Sequence, residues 1–450
     1  MPAPAADPVV VVGGGIAGLA AAWFLAEAGE DVLVLEGSPL VGGKLRLASV
    51  ADVTVDVGAE AMLNRRPEGV ALARAAGLEP VHPATTRSQL WSRGALHRLP
   101  RTLLGVPLDL EDLATSGVLS PEGLDAVRRP VDLPAPVADD SVGALVGARL
   151  GPEVVDRLLE PLLGGVYAGR ARELSAAAAT PQLMALLQRG GSLLEAATSL
   201  PVSDAPVFAG LEGGLGRLPL ALAAAGRFEV RTDAVVRALV RTPQGFRLTL
   251  GSTRAPETIE AGRVVLATPA APTARLLGQL APDAAEVLAG VESASMAIVT
   301  LAVTELDSGG SSGFLVPPVE GRRIKAATYS FGKWAWVGDA SPYRILRSSL
   351  GRHREEAVLQ VTDDELAAAA VADLADASGR PLDVVDQHVQ RWGGALPQYA
   401  VGHLDRVARV RADVARVPGL AVCGAAYDGV GIPAVIASAQ RAAAEVLRAQ

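Results

Sequence analysis

Three glycines near the start of the chain have the types and spacing of a phosphate-binding turn. Gly13, Gly15 and Gly18 form the pattern G-x-G-x-x-G, after four valines and within an Ala/Leu-rich run. This order predicts a buried strand, a tight turn and a helix. In such a turn Gly13 permits the bend, Gly15 lets the backbone approach a pyrophosphate, and Gly18 lets the helix pack against the strand. The phosphates would lie on the free N–H groups at the helix N-terminus.

A carboxylate follows at the spacing that a nucleotide ribose requires. The stretch D-V-L-V-L-E at 31–36 predicts a second strand, which ends in Glu36, eighteen residues after Gly18. An acid at this point of a βαβ unit accepts a hydrogen bond from a ribose hydroxyl. The pattern therefore predicts a dinucleotide site, and the alternative is a βαβ turn with a purely structural role.

The residues after Glu36 indicate which dinucleotide is bound. Residues 36–46 resemble the E-x(5)-G-G-[RK] extension of flavoproteins, in which Lys44 would neutralise pyrophosphate charge and Gly43 would lie close to the cofactor. The stretch D-V-G-A-E at 56–60 resembles the loop that lies under the flavin in amine oxidases and their relatives. The predicted cofactor is FAD.

Composition and charge exclude several classes of function. The chain has 450 residues, 50% of them hydrophobic and 4% aromatic, so it is long enough for two or three lobes around an aliphatic core. A formal net charge of −8 does not favour nucleic acid as a partner. Cys423 is the only cysteine and the five histidines lack ligand spacing, so we expect no disulfide and no metal.

Mean hydropathy is +0.30, which raises the question of a membrane. The longest uncharged apolar run, 8–26, contains the glycine cluster and reads as strand, turn and helix, so we expect no transmembrane segment and a cytoplasmic enzyme. The expectation leaves room for contact with a membrane surface.

The elements that must position these residues indicate a multi-lobed α/β (α+β) fold. A hairpin is predicted at 89–91 and 95–100, helices punctuated by Pro and Gly from 107 to 203, and a helix at 362–377. Further strands are predicted at 228–232, 234–240, 246–250, 264–268, 297–303, 324–331, 343–350 and 419–423. The terminal helix, 433–449, would direct its positive end at the flavin. We expect a Rossmann-like FAD-binding domain (1–72, 206–272 and 402–450), an antiparallel-sheet substrate domain (73–106 and 273–401) and a helical lobe (107–205).

Three further segments resemble one branch of the flavin amine-oxidase superfamily. They are E-P-L-L-G-G-V-Y-A-G at 160–169, Q-R-W at 390–392 with L-P-Q-Y at 396–399, and G-V-G-I-P at 429–433. Together with the N-terminal motifs they resemble the oxygen-dependent protoporphyrinogen/coproporphyrinogen oxidases of haem synthesis, over the whole chain. The pattern is similar to the Gram-positive and actinobacterial type, for which coproporphyrinogen III is the usual substrate.

The resemblance implies roles for individual residues around FAD. Val236 matches a residue whose backbone meets adenine, and Ala59 stands where many relatives have proline. The residues matched to the ADP half are Gly13, Gly14, Gly15, Ile16, Ala17, Gly18, Glu36, Gly37, Gly43 and Lys44. The residues matched to the flavin are Gly58, Ala59, Glu60, Ala61, Trp392, Val430, Gly431 and Ile432.

The substrate-side assignments have simpler alternatives. Arg66 matches a basic residue that meets substrate carboxylates, with a surface salt bridge as the alternative; a second basic contact near Ser88 is less clear. Gly165 and Gly169 would allow the macrocycle close to the backbone, or serve only a helix terminus. Tyr167 would line the substrate site or simply pack.

The resemblance implies a six-electron oxidation of a porphyrinogen in three rounds, each passing a hydride from a meso carbon to flavin, with O2 reduced to H2O2. No catalytic side chain is assigned, because the cofactor supplies the chemistry. The expected partners are a porphyrinogen and O2, with room for transient contacts with other haem-pathway enzymes. Alternatives are protoporphyrinogen IX as substrate, an amine oxidase or carotenoid desaturase on the same fold, and a non-catalytic scaffold.

Overall fold

The computed structural model describes residues 7–129, 131–200 and 205–448. Parts of the predicted segments that fall on 1–6, 130, 201–204 and 449–450 lie outside the described residues. The strands are β1 (Val9–Val12), β2 (Val32–Leu35), β3 (Leu47–Val50), β4 (Val53–Asp56), β5 (Met62–Leu63), β6 (Pro80–Val81), β7 (Gln89–Ser92), β8 (Ala95–Arg98), β9 (Thr102–Leu103), β10 (Val106–Pro107), β11 (Phe208–Leu211), β12 (Glu229–Arg231), β13 (Val236–Thr242), β14 (Gly245–Ser252), β15 (Ala255–Ala261), β16 (Arg263–Leu266), β17 (Ser293–Val303), β18 (Gly313–Leu315), β19 (Ile324–Thr328), β20 (Arg344–Leu350), β21 (Val384–Pro397) and β22 (Leu420–Val422). The helices are α1 (Ile16–Glu27), α2 (Pro67–Ala75), α3 (Leu110–Ser116), α4 (Pro121–Arg128), α5 (Val142–Leu150), α6 (Pro152–Val154), α7 (Glu160–Tyr167), α8 (Ala176–Ala179), α9 (Pro181–Leu187), α10 (Leu193–Thr198), α11 (Arg217–Ala224), α12 (Ala270–Leu277), α13 (Pro282–Ala289), α14 (Ser330–Lys333), α15 (Ala335–Ala340), α16 (Asp363–Ser378), α17 (His403–Val414) and α18 (Ile432–Arg448).

A parallel sheet with the order β12-β2-β1-β16-β22 carries the glycine turn. Its central strand β1 consists of four buried valines, as expected for a parallel sheet that is covered on both faces. Val9 and Val11 face the cluster that contains α1 and α18, whereas Val10 and Val12 face the cluster that contains α12, α13 and α17. The predicted strand–turn–helix–strand unit is confirmed.

A second sheet has seven strands in the order β21-β17-β20-β19-β18-β7-β8. The predicted hairpin is β7–β8, but β7 pairs with β18 in parallel, so this sheet is mixed and not purely antiparallel. The predicted strand 324–331 ends at Thr328, because the next residues turn into α14. The long strand β21 was missed, since most of it is an exposed edge without clean alternation of apolar residues.

The stretch between the two sheets in sequence forms the helices α3–α10. Pro152 begins α6, which continues through a π-helical segment (Val155–Leu159) into α7. Four apolar side chains of this segment are buried, those of Val154, Val155, Leu158 and Leu159. The side chains join one hydrophobic cluster with Tyr167 and Tyr399.

The C-terminal part of the chain returns to the parallel sheet. Strand β22 is confirmed at its edge, and α18 begins at Ile432, one residue before the predicted proline start. Helix α17 was not predicted, although Val407, Val410 and Val414 have helical spacing and are buried. Within the part of the chain that the structure describes, no helix has the length and apolarity needed to cross a bilayer.

Gly18→Ala tests the close packing of α1 on β1. A Cβ on Gly18 would lie 1.8 Å from the Gly13 carbonyl oxygen, so the helix must move away from the turn. We expect a loss of about 1–3 kcal/mol in the free energy of unfolding, as for overpacked cores, together with weaker retention of FAD. Urea denaturation and the flavin absorbance of the purified protein measure the two effects.

Gly278→Ala is the matched control for this prediction. Gly278 has a right-handed φ of −51°, and an added Cβ would be 3.6 Å from its nearest neighbour, the Arg275 oxygen. A Gly18→Ala protein as stable as this control would show that the close approach of Gly18 to the Gly13 carbonyl does not require glycine.

Candidate cofactor and substrate site

The glycine turn and a second glycine pair form a backbone cradle. Gly13 has a φ of +109°, and Gly42 donates its N–H to the Gly14 oxygen at 2.8 Å. The space where Gly15 would carry a Cβ is open, with Gly43 Cα nearest at 4.0 Å. Gly15 is also the N-cap of α1 and provides no side-chain hydrogen bond, so the first N–H groups of the helix are available to an anion.

Glu36 lies at the end of β2 directly against this turn. Its carboxylate accepts hydrogen bonds from the Gly14 N–H at 2.6 Å and from the Ser38 N–H at 2.8 Å. The Glu36 carbonyl accepts from the Ala234 N–H at 2.8 Å, just before Val236 begins β13. The fold thus brings Glu36, Gly37 and the Val236 segment together from distant parts of the sequence.

Two basic side chains beside the cradle lack anionic partners. Burial lowers the pKa of Lys44, and no ion pair of Lys44 occurs among the described residues. The Nε of Arg46 is buried without a hydrogen-bond partner in the described part of the chain. Orphaned cations next to an open glycine cradle fit the pyrophosphate of a dinucleotide, whose charge would compensate them.

The loop after β4 is fixed from several directions by hydrogen bonds. Asp56 accepts from the Leu215 and Gly216 N–H groups at 2.8 and 2.9 Å, and its burial raises its pKa to about 6. Trp392 donates its indole N–H to the Val57 oxygen at 3.1 Å. A Cβ on Gly58 would lie 1.9 Å from the Lys44 oxygen and 3.2 Å from the Trp392 ring. Trp392, from strand β21, is therefore brought against the predicted flavin loop.

Glu60 in this loop forms a buried ion-pair cluster with the second sheet. Its carboxylate is 2.6 Å from Lys333 Nζ and 2.9 Å from Arg347 Nη1. Arg347 also donates to the Gly58 oxygen. Burial opposes ionisation, but the two cations outweigh it and lower the pKa of Glu60 to about 2. Sequence reasoning missed Lys333, Arg347 and Arg46, because no local pattern marks them.

The C-terminal loop that carries Val430 and Gly431 is anchored by buried aromatic residues. Tyr399 donates to the Ala425 oxygen at 2.6 Å and stacks on His403 at 3.8 Å. His403 Nε2 lies 3.1 Å from the Tyr427 carbonyl oxygen, which can only accept, so Nε2 carries the hydrogen of the imidazole. Burial lowers the pKa of His403 to about 4. Space at the Gly431 Cβ position is open, just before Ile432 begins α18.

The substrate-side residues divide into open and packed positions. Gly165 on α7 is exposed, and its Cβ position is in ordinary van der Waals contact with Leu315 at 3.7 Å. Tyr167 is buried, donates weakly to the Ala179 oxygen at 3.3 Å and packs on Tyr399. A Cβ on Gly169 would lie 2.2 Å from Gln398 Oε1, which makes Gly169 a tightly packed position. Arg66 is 42% exposed and forms an ion pair with Glu68 at 2.6 Å.

In the residues that the structure describes, no group of three or more His, Cys, Asp or Glu side chains could hold a metal ion.

Glu60→Gln tests the cluster through its pH dependence. The folded-state pKa of Glu60 is about 2, below the ordinary 4.5, so its stabilisation is present above pH 4.5 and is lost as the pH falls towards 2. This contribution is on the order of 3 kcal/mol. In Glu60→Gln the acid-dependent part should disappear, and the protein should be less stable at pH 7 because Lys333 and Arg347 lose their anion.

Urea denaturation of the purified protein between pH 7 and pH 3 checks this expectation. Glu257→Gln, which removes an exposed partner of Arg231, is the control. A Glu60→Gln protein whose stability falls with acid as steeply as that of the wild type would contradict the assignment.

Comparison with known proteins adds the family context. The sequence profile of flavin containing amine oxidoreductases matches residues 16–447. Coproporphyrinogen III oxidase of Mycobacterium leprae is 40% identical, with 98% of each chain covered, and protoporphyrinogen oxidase of Bos taurus is 30% identical, also over 98% of each. The crystal structure of a protein from Exiguobacterium superposes with a TM-score of 0.88, at 31% identity and 99% coverage of both chains.

Proposed function

The chain belongs to the flavin containing amine oxidoreductase family, and we propose that it oxidises coproporphyrinogen III to coproporphyrin III with FAD and O2 in haem biosynthesis. The observation that supports this substrate is the full-length similarity to coproporphyrinogen III oxidases, among them the 40% identical Mycobacterium leprae protein. The open glycine cradle, the acid beside it and the orphaned cations support FAD independently. Three O2 accept the six hydrogens, and three H2O2 are released.

FAD, when bound, supplies the hydride acceptor and the route of electrons to O2. The residues of the chain bind the cofactor and the substrate and orient them. We propose that Glu36 binds the ribose, that Lys44 and the α1 N-terminus bind the pyrophosphate, and that the loop from Gly58 to Ala61 lies against the flavin with Trp392. The Glu60 cluster holds this loop rigid, which keeps the reacting atoms at a fixed distance.

On the substrate side, Gly165 allows the macrocycle close to the α7 backbone, and Arg66 binds a propionate at the pocket entrance. No side chain is proposed as a general base, because the pyrrole N–H protons can leave to water. The three-part division of the chain and a cytoplasmic location belong to the same proposal. The hydrophobic clusters support the division, because the parallel sheet, the second sheet and the helices α3–α10 each have their own.

Turnover with both porphyrinogens tests the proposed substrate. The purified protein should release FAD on denaturation and should oxidise coproporphyrinogen III faster than protoporphyrinogen IX, as followed by porphyrin fluorescence. Oxygen uptake should match peroxide formation mole for mole. Preference for protoporphyrinogen IX would favour the alternative that the 30% identical Bos taurus relative represents, and a colourless protein that FAD cannot reconstitute would refute both.

Arg66→Ala tests the entrance contact. Losing a hydrogen-bonded carboxylate pair in a half-exposed position should cost about 1–2 kcal/mol of binding, so KM for coproporphyrinogen should rise roughly tenfold. The change in kcat should be smaller, because a propionate is remote from the reacting meso carbon. Arg66→Lys should recover part of the loss, with FAD content unchanged.

A substitution of Glu68, the ion-pair partner of Arg66, should change KM in the opposite direction. Glu68 competes for the Arg66 guanidinium, so Glu68→Gln should lower KM. Arg74→Ala removes an exposed arginine of the same helix and is the control. An unchanged KM in Arg66→Ala, with FAD retained, would show that Arg66 forms only a surface ion pair with Glu68 and does not bind substrate.

A further inference from the structure

Lys325 is the feature of the second sheet that the proposed function leaves unexplained. Its side chain is 3% exposed, and its Nζ is buried without a hydrogen-bond partner in residues 7–129, 131–200 and 205–448. Burial and the nearby Arg352 lower its pKa to about 7. A buried amine without a partner is costly, because a charged group leaves water and gains nothing in return.

A bulge in β19 sets the direction of this side chain. Ile324 pairs with Leu350 and Ala326 pairs with Ser349, so Lys325 is an extra residue between them. Ile324 packs towards α16, where the Asp373 carboxylate is already used by the Ile324 N–H at 2.9 Å and by Arg322. Bulges occur beside active sites, where they redirect a side chain out of the strand's alternation. These contacts indicate that Lys325 is directed to the opposite side, where α7 packs on β18 and β19.

That side of the sheet is partly accessible beside α7. Leu315, Ala326 and Ser349 are neighbours across three adjacent strands, and each remains partly exposed. Leu315 lies 3.7 Å from the Gly165 Cβ position of α7, the residue at which the proposed function places the macrocycle. Lys325 is the residue before Ala326 in β19 and, unlike these three neighbours, is buried.

Arg352 adds a second cation at the same end. It is 8% exposed, donates to the Val316 oxygen at 3.3 Å, and reaches Glu355 only at 3.9 Å. Val316 in turn donates its N–H to the Lys325 oxygen at 2.9 Å, so the two basic residues flank one strand end.

The chemistry of the proposed substrate supplies the missing partner. Coproporphyrinogen III has a propionate on each of its four pyrrole rings, so inserting the macrocycle edge-on buries carboxylates at the inner end. Protoporphyrinogen IX has propionates on two adjacent rings only, and both can remain at the entrance. A buried carboxylate needs a charged, hydrogen-bonding partner, whereas a vinyl group does not.

We propose that Lys325, with Arg352 beside it, binds an inner propionate of coproporphyrinogen III and thereby distinguishes this substrate from protoporphyrinogen IX. The inference rests on the proposed function and names the residue that sets its specificity. In the part of the chain that the structure describes, Lys325 Nζ has no anionic partner and Arg352 reaches only Glu355, at 3.9 Å, so a bound carboxylate would supply the partner that Lys325 lacks.

Binding of the two porphyrin products to Lys325→Met tests the assignment. Methionine has a similar length and no charge, so the dissociation constant of coproporphyrin III, measured by fluorescence quenching, should rise about tenfold or more. That of protoporphyrin IX should change by less than about twofold. Arg323→Met removes an exposed cation two positions away and is the matched control. Lys325→Arg should bind coproporphyrin III better than Lys325→Met.

Stability gives a second readout that a structural lysine would not produce. Removing an unpartnered buried amine should raise the melting temperature of the ligand-free protein, whereas a lysine needed for the fold would lower it. Unchanged selectivity between the two porphyrins in Lys325→Met would overturn the proposal. Loss of folding in Lys325→Met, Lys325→Gln and Lys325→Arg alike would overturn it too, because it would show a structural role. Failure of the wild type to oxidise either porphyrinogen would instead refute the proposed function, and the binding comparison separates the two results.

Discussion

The buried carboxylate of Glu60 joins the loop that follows β4 to the second sheet of this protein. Lys333 and Arg347 come from the second sheet and its following helix, and both contact a loop that leaves the nucleotide-binding half. Arg347 also binds the Gly58 carbonyl, so the backbone of the loop and its side chain are fixed together. In the proposed function, this connection sets how the flavin loop lies relative to the second sheet.

The nucleotide side is built on close approach of backbone to backbone. Gly58 must be glycine because the Lys44 carbonyl occupies the place of its Cβ, and Gly18 must be glycine because the Gly13 carbonyl does. Such contacts leave no room for side chains, so that phosphates and a flat ring system can be held by N–H groups and carbonyls. The basic residues Lys44 and Arg46 are then left for the charge of the ligand.

Charge is distributed differently on the substrate side. Arg66 is half-exposed and is paired with Glu68, whereas Lys325 and Arg352 are buried. A flexible, solvated pair can exchange one carboxylate for another at little cost, while a buried amine discriminates strongly between a charged and an apolar group. In the proposed function, the Arg66 pair therefore suits attraction of the substrate, and the buried cations suit discrimination between substrates.

The sequence by itself determined the features that depend on short-range spacing. The strand–turn–helix unit, the acid after β2, the hairpin β7–β8 and the terminal helix follow from periodicity and glycine positions within a few residues of each other. Only the tertiary structure brought Glu60 to Lys333 and Arg347, which are 273 and 287 residues away, and Trp392 to the same loop. It also decided that Gly169 is packed against Gln398 and that Lys325 is an extra residue in a bulge, because register and burial depend on which strands pair. Local sequence sets which chemistry is available, whereas long-range packing sets which charges are left without partners and where they point.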